Sequence, residues 1–379
     1  MLLFDLKSLQ SKGSTMCHGG GKYAEIVFFR LVESGEKFVC AYDSRCWTAE
    51  NIIDTCHDKN IPLIDLKDNS WNKIISENDI SRLYSAVPDD EILQISQCEV
   101  VVTLHGLRAL ETPFSLHALR YDEGWLTTLK YIVKYAFFQK CYYRKALAFY
   151  KHYFSNPRLR YVVVSNHTRN AIGVYYPEVD MNKIKVFYSP STSAPTTRKR
   201  TEGVEPYFLM VSGNRFLKNC LRGIMAIDRL LSIGRLPTEY KVKVTGVKDA
   251  RHFRYTIRNP KNFEFLGYVS EEELDQLYTD AYALIYPSLS EGFGYPPMEA
   301  MRYGIPVIAS PFTSISEVCG GAAMYCNPYS VEELMNRILQ TLDSHQYQRM
   351  AEEGRKRYAE ITVRQNADLD KLINFILRG

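Results

Sequence analysis

The chain has 379 residues, a net charge of +4, an apolar fraction of 46% and a charged fraction of 24%. A single hydrophobic core stops growing at roughly 250–300 residues, so two domains are expected. The small net charge excludes the chain-wide positive field of a general nucleic-acid binder, and no nucleic-acid partner is expected. Nine cysteines lie scattered without C-x-x-C spacing. They argue against a disulfide framework or a structural zinc site and suit a reducing cytoplasm. The opening residues from Met1 to Gly13 lack a basic segment followed by a long apolar run, so they read as a first strand rather than a signal peptide. No apolar run reaches the about 18 residues of a membrane span.

In chain order, residues 1–6, 37–42, 61–65, 99–104 and 161–165 read as strands, with amphipathic helical stretches at 22–33 and 49–58. The pattern recurs with strands at 207–211, 240–245, 262–265, 282–286, 306–309 and 322–325. Helices are expected between them at 221–231, 271–280, 297–303 and 331–342. Strands alternating with helices imply parallel sheets covered on both faces. From Tyr188 to Pro206 the periodicity stops; prolines, Ser and Thr accompany the basic run Arg198-Lys199-Arg200, as in a linker. The expected organisation is an N-terminal domain over 1–190, a linker over 191–205, a second domain over 206–360, and a C-terminal helix over 361–379 that crosses back to the first domain. The fold class is α/β, with two doubly wound domains and a ligand beyond the carboxyl ends of their strands.

The strongest local signal is Glu291-Gly292-Phe293-Gly294-Tyr295-Pro296-Pro297-Met298-Glu299, between a strand and a helix. Gly292 and Gly294 let backbone N–H groups approach an anion, proline suits a first helical turn, and a helix N-terminus favours phosphate. Two carboxylates eight positions apart sit at different depths and serve two parts of one ligand. This segment resembles the E-x7-E motif of the retaining GT-B glycosyltransferases of family 4, in its E-G-F-G-x-P-x-x-E form. The resemblance implies the GT-B architecture, two Rossmann-like domains facing across a cleft. It implies that Glu299 binds the donor ribose, that Glu291 contacts the transferred sugar, and that the amides of Gly292, Phe293 and Gly294 lie near the sugar and the diphosphate.

Other segments extend the resemblance. Gly213-Asn214-Arg215 and Lys218-Asn219 are similar to the family's G-x-R…K-N segment, which assigns Arg215 and Lys218 to the donor diphosphate. Tyr268, in the loop before a capping box formed by Ser270 and Glu273, and Gly246 match family positions near the nucleotide. In the first half, Cys17-His18-Gly19-Gly20-Gly21 is similar to the glycine-rich first loop, and His105, just past a strand, resembles a histidine near the sugar hydroxyls. The implied reaction is metal-independent transfer with retained configuration, from a UDP- or GDP-sugar to a glycan or lipid-linked acceptor in polysaccharide biosynthesis. No cofactor is expected. Asp368-Leu369-Asp370 spells the D-x-D of another glycosyltransferase class but lies in a helical C-terminal pattern, so no metal is expected there. A nucleotide-sugar epimerase or hydrolase on the same fold, and a non-catalytic GT-B-shaped binding protein, are the alternatives.

From Lys130 to Arg160 basic and aromatic residues interleave. The pattern suits a helix lying on the inner face of an anionic membrane, and equally a long helix whose aromatic face packs in the first domain.

Overall fold

The computed structural model describes residues 1–10, 19–112, 115–121, 124–191, 193–194, 196 and 200–379. Cys17 and His18 of the glycine-rich loop, and Arg198 and Lys199 of the linker run, lie outside the described residues. The first sheet contains β1 (Leu2–Asp5), β2 (Phe38–Tyr42), β3 (Leu63–Asp65), β4 (Arg82–Ser85), β5 (Glu99–Leu104), β6 (Leu159–Val163) and β7 (Ile184–Val186). All its pairings are parallel, in the order β3-β2-β1-β4-β5-β6-β7. The second sheet contains β8 (Tyr207–Met210), β9 (Lys241–Thr245), β10 (Phe263–Gly267), β11 (Ala283–Tyr286), β12 (Val307–Ala309) and β13 (Met324–Tyr325). It is also wholly parallel, in the order β10-β9-β8-β11-β12-β13. Two doubly wound α/β units therefore stand where the alternating pattern expects them.

Strands buried on both faces read as continuous apolar runs rather than alternating ones. β8 and β11 are buried at every position. Strands β4 and β7, of four and three residues, escape the sequence reading. The pairing Leu3↔Leu83 nevertheless makes β4 the neighbour of β1.

The packing divides the chain into unit 1, made of Met1–Leu107, Ala146–Ser193 and Thr362–Gly379, and unit 2, made of Arg108–Lys145 and Ala194–Ile361. The division is not linear along the chain, as the sequence reading had it. A segment from the first half belongs to unit 2, and the last helix, Ser344–Arg378, contributes to both units. Asp368 and Asp370 hold that helix within unit 1. Asp368 accepts from Tyr188 N at 3.1 Å and faces Arg364 and Lys371, and Asp370 pairs with Arg30 at 2.5 Å.

In unit 2 the helix Cys220–Ser232 lies on β8 and β11. Its apolar side, including Leu221, Ile224, Ile227 and Leu230, is fully buried. A Cβ on Gly223 would stand 2.7 Å from Met210 Cε and 3.1 Å from Ile285 Cγ2, so a side chain there would require Met210 and Ile285 to shift. The same helix carries Asp228, also fully buried. Its carboxylate accepts from Tyr255 Oη at 2.8 Å, Arg258 N at 3.0 Å and Asn259 N at 2.9 Å, and so fixes the connection from β9 to β10. Burial opposes its charge, but these bonds prevail and hold the carboxyl below its ordinary value of 3.8.

Replacing Asp228 by Ala leaves two backbone N–H groups and a phenol without their acceptor, and is expected to lower the unfolding free energy by on the order of 3 kcal/mol at neutral pH. A carboxyl with a depressed folded-state pKa stabilises above its unfolded value and loses that contribution as pH falls through the folded value. The gap between wild type and Asp228→Ala in urea unfolding should therefore narrow below about pH 4. A gap that stays constant into acid would show that the charge contributes nothing.

Candidate functional site

In each sheet the strand order reverses beside the first strand, so that β1 lies between β2 and β4, and β8 between β9 and β11. Loops leaving the carboxyl ends of strands on either side of such a reversal run apart and leave a crevice. In unit 2 the loop after β8 and the loop after β11 flank it. They are tied together at Leu217 O, which accepts from the backbone N–H of Leu289 at 2.8 Å and lies 3.0 Å from Ser288 Oγ. Asn219, wholly buried and left-handed at φ 58°, donates through Nδ2 to Pro287 O and Pro328 O at 3.0 and 2.7 Å.

This stitching delivers Lys218 to Glu291. Lys218 Nζ donates to Glu291 Oε1 at 2.6 Å and to Tyr286 Oη at 2.6 Å. Tyr286 Oη and Ser288 Oγ in turn donate to the same Oε1, at 2.6 and 2.5 Å. The side chains of Lys218 and Glu291 are 12% and 9% exposed, so the pair is shielded from screening. Burial disfavours the Glu291 charge. The Lys218 ammonium and the three donors outweigh burial and hold the carboxyl below its usual range. The reverse holds for Tyr286, whose phenol is pushed well above its ordinary value by burial and by the adjacent carboxylate. All three bonds to the Glu291 carboxylate end on Oε1, and no described residue donates to Oε2.

Behind Glu291 the loop is pinned by Thr313 and Ser314. Thr313 Oγ1 accepts from Glu291 N at 2.9 Å, and Ser314 Oγ donates to Glu291 O and Phe293 O at 3.0 and 2.8 Å. Gly294, at φ 114°, is the N-cap of the helix Tyr295–Tyr303 and provides no side-chain cap, while Phe293 is buried and Gly292 half-buried. Glu299 lies one turn into this helix. It is half-buried, and Arg302 Nη1 stands 3.5 Å from its Oε2.

The carboxyl ends of β8, β9 and β10 form the other wall. Gly213 N donates to Thr245 O at 2.8 Å, Gly246 N to Gly267 O at 2.5 Å, and Gly267 N to Val247 O at 2.8 Å. Gly246 has φ 82°, and a Cβ there would meet Asn214 Oδ1 at 2.8 Å and the backbone of Ser212 at 3.2 Å. The fold alone thus requires glycine at 246. Tyr268 follows β10 and is 68% exposed. Arg215 is exposed at the start of the turn Phe216–Lys218, and among the described residues its guanidinium has no ion-pair partner. The two cations singled out by the sequence therefore differ, Lys218 being turned inward onto Glu291 and Arg215 outward.

Unit 1 has its own arrangement. His105, just past β5, bonds through Nε2 to Ala86 O at 3.0 Å, which places the proton on Nε2. Its ring meets Tyr23 edge-on at 4.9 Å. Gly19, Gly20 and Gly21 open the helix Gly19–Glu33, which carries Tyr23. Tyr23 and Tyr84 both reach Thr103 Oγ1, at 3.4 and 2.9 Å, and burial raises the Tyr23 phenol to about 12.

Tyr286, Ser288, Thr313 and Ser314 escape sequence reasoning. Tyr286 reads as a strand end and Ser288 as a turn residue; their spacing of five and three before Glu291 is the only trace of the cluster. Thr313 and Ser314 come from the loop after β12, and only folding brings them near. If the ion pair is as tightly coupled as its geometry implies, Lys218→Met alone leaves a buried carboxylate without its cation and should cost about 3 kcal/mol. Adding Glu291→Gln should recover at least about 1 kcal/mol of that loss in a double-mutant cycle read by urea unfolding. Strictly additive losses would mean that the pair is not coupled.

Residues 198–357 match the family model described as "Glycosyl transferases group 1". The O-antigen chain mannosyltransferase B of Escherichia coli is 32% identical over 168 residues, 43% of this chain and 44% of that protein. The O-antigen chain mannosyltransferase RfbU of Salmonella typhimurium is 32% identical over 201 residues, 51% of this chain and 52% of that protein. The chain thus spans about half the length of the curated relatives it matches. Among solved structures, Anabaena HepE in complex with UDP-glucose superposes with a TM-score of 0.64 at 13% identity, covering 98% of each chain. The chain has the GT-B fold, and its residues 198–357 are similar to the glycosyl transferases of group 1.

Proposed function

We propose that the chain is a retaining, metal-independent glycosyltransferase that moves a hexose from a UDP- or GDP-sugar to a glycan or lipid-linked acceptor in surface-polysaccharide synthesis. The observation that carries this reading is the buried Lys218–Glu291 pair at the strand-order reversal of unit 2, beside a helix whose N-terminus has no side-chain cap. The names of the two curated relatives favour mannose as the sugar and an O-antigen chain as the acceptor. The UDP-glucose bound by HepE supports a nucleotide-sugar donor.

In this reading Lys218 and the helix N-terminus hold the donor diphosphate. An ammonium has three donors, and Tyr286 and Glu291 engage two of them, so one is left for a phosphate oxygen. As the sugar leaves, negative charge grows on that phosphate, and a fixed cation stabilises the transition state more than the ground state. Glu291, its Oε1 saturated, presents Oε2 to the sugar hydroxyls. Glu299 takes the ribose, the backbone at Gly246 and Tyr268 borders the base, and Arg215 closes on the diphosphate from outside. Our reading keeps His105 for the sugar hydroxyls and the Gly19–Gly20–Gly21 helix start for the phosphate side. The departing phosphate accepts the proton of the acceptor hydroxyl on the same face, so configuration is retained without a base on the opposite face. Lys218 and the helix end supply the positive charge that a divalent ion provides elsewhere. Asp368 and Asp370 are committed to Arg364, Lys371 and Arg30.

Titration of the purified protein with UDP and GDP in the presence of EDTA is expected to show binding of one nucleotide, weakened at least about tenfold by Glu299→Ala. Glu291→Gln should retain nucleotide binding and lose about 100-fold or more in transfer. Product analysis with and without acceptor separates transfer from hydrolysis or epimerisation. Absence of binding by well-folded protein, or full turnover by Glu291→Gln, would overturn the assignment.

A further inference from the structure

The helix Trp125–Phe137 shows its apolar side to solvent, and none of its residues is buried. At 100° per residue, Trp125, Leu129, Ile132, Val133 and Phe137 fall on one side, and all five are exposed, Trp125 at 71% and Phe137 at 78%. The opposite side carries Tyr131 and Tyr135, which are half-buried. Tyr131 Oη donates to Ser115 O at 3.3 Å, and its ring lies 4.4 Å from that of Tyr135. The helix is thus amphipathic in the inverse sense, with its more polar side toward the protein. A soluble helix would place that stripe against a core.

The next helix, Gln139–Tyr153, extends the surface through its first half. Phe138, Tyr142 and Tyr143 are exposed, whereas Tyr150 and Tyr153 are buried, Tyr153 against Tyr161 and Phe154 and Tyr150 against Tyr153. Lys134 Nζ sits 4.2 Å above the Tyr142 ring and links the two helices. The Lys130 to Arg160 stretch divides: part of its second half packs as core and its first half stays on the surface.

Charge identifies what covers this surface. From residue 124 to 153 there is no Asp or Glu, while five basic residues, Lys130, Lys134, Lys140, Arg144 and Lys145, accompany its surface half. Uncompensated basic residues around exposed Trp and Phe match an anionic bilayer, where each cation near the surface contributes about 1 kcal/mol and aromatic rings settle at headgroup depth. No described helix is long and apolar enough to cross a membrane, so the contact is interfacial. We propose that the pair of helices docks the chain on an anionic lipid bilayer, with Trp125–Phe137 lying in the interface plane and its apolar side at the acyl boundary. This surface shares no residue with the donor site.

The test is co-sedimentation of the full chain with vesicles of phosphatidylcholine, with or without about one third phosphatidylglycerol. Binding should be at least about tenfold tighter with phosphatidylglycerol and fall with added salt. Leu129→Asp with Val133→Asp should lower the affinity at least about tenfold. Lys130→Glu with Lys140→Glu and Arg144→Glu should abolish the preference for the anionic lipid. Circular dichroism checks the fold; should the aspartate pair unfold the chain, Trp125→Ser with Phe137→Ser, at the two most exposed sites, replaces it and should weaken binding likewise. Protein that stays in the supernatant with anionic vesicles at low salt overturns the proposal. So does binding unchanged by the apolar variants, or self-association in lipid-free solution that those variants remove, which would assign the surface to a second copy of the chain.

Discussion

The reversal of strand order beside β8 is the constraint on which the candidate site depends. Because β9 and β11 lie on opposite sides of β8, the connections leaving β8 and β11 diverge, and the loops that begin them enclose a crevice at the carboxyl edge. Everything found there follows from closing those two loops onto each other. Asn219 bridges them with an otherwise unfavourable left-handed backbone, Leu289 N–H binds Leu217 O, and the result brings an ammonium and a carboxylate together in a nearly dry setting. A buried pair of this kind is costly to assemble and adds little net stability compared with apolar packing. Its presence at the end of two strands, saturated on one carboxylate oxygen only, is better understood through ligand chemistry than through folding.

The glycines of the second unit have two different origins. Gly223 and Gly246 answer to packing, for a side chain at 223 would displace Met210 and Ile285, and one at 246 would meet the Ser212 and Gly213 backbone at a φ of 82°. Gly294, in the loop that carries Glu291, answers to backbone conformation alone: its φ is 114°, and a Cβ there would meet Ile315 Cγ1 at an ordinary 4.0 Å. A division also runs through the carboxylates. Asp228 is fully consumed in holding the β9–β10 connection, and Asp368 and Asp370 in holding the last helix, whereas Glu291 keeps an oxygen without a donor among the described residues.

The two successive helices near the middle of the chain show how one stretch meets two environments. Its aromatic residues are uniform in composition, yet Tyr150 and Tyr153 join a cluster with Phe154 and Tyr161, while Trp125 and Phe137 face solvent. Periodicity alone places residues on a side of a helix and does not say what lies opposite that side.

The sequence by itself determined the class of fold, the presence of two units and the position of the E-x7-E segment, because these reside in local patterns: apolar runs, helix periodicity and a short motif between a strand and a helix. It also located Lys218 and Asn219 as a unit. Tertiary structure alone decided that Arg108–Lys145 packs with the second unit, that β4 sits beside β1, and that Tyr286, Ser288, Thr313 and Ser314 converge on the Glu291 loop. It also decided that Lys218 faces inward and Arg215 outward. The physical reason is the same in each case. These facts depend on strand order and on loops closing across long sequence separations, and parallel pairing leaves no local signature of which strand will be the neighbour.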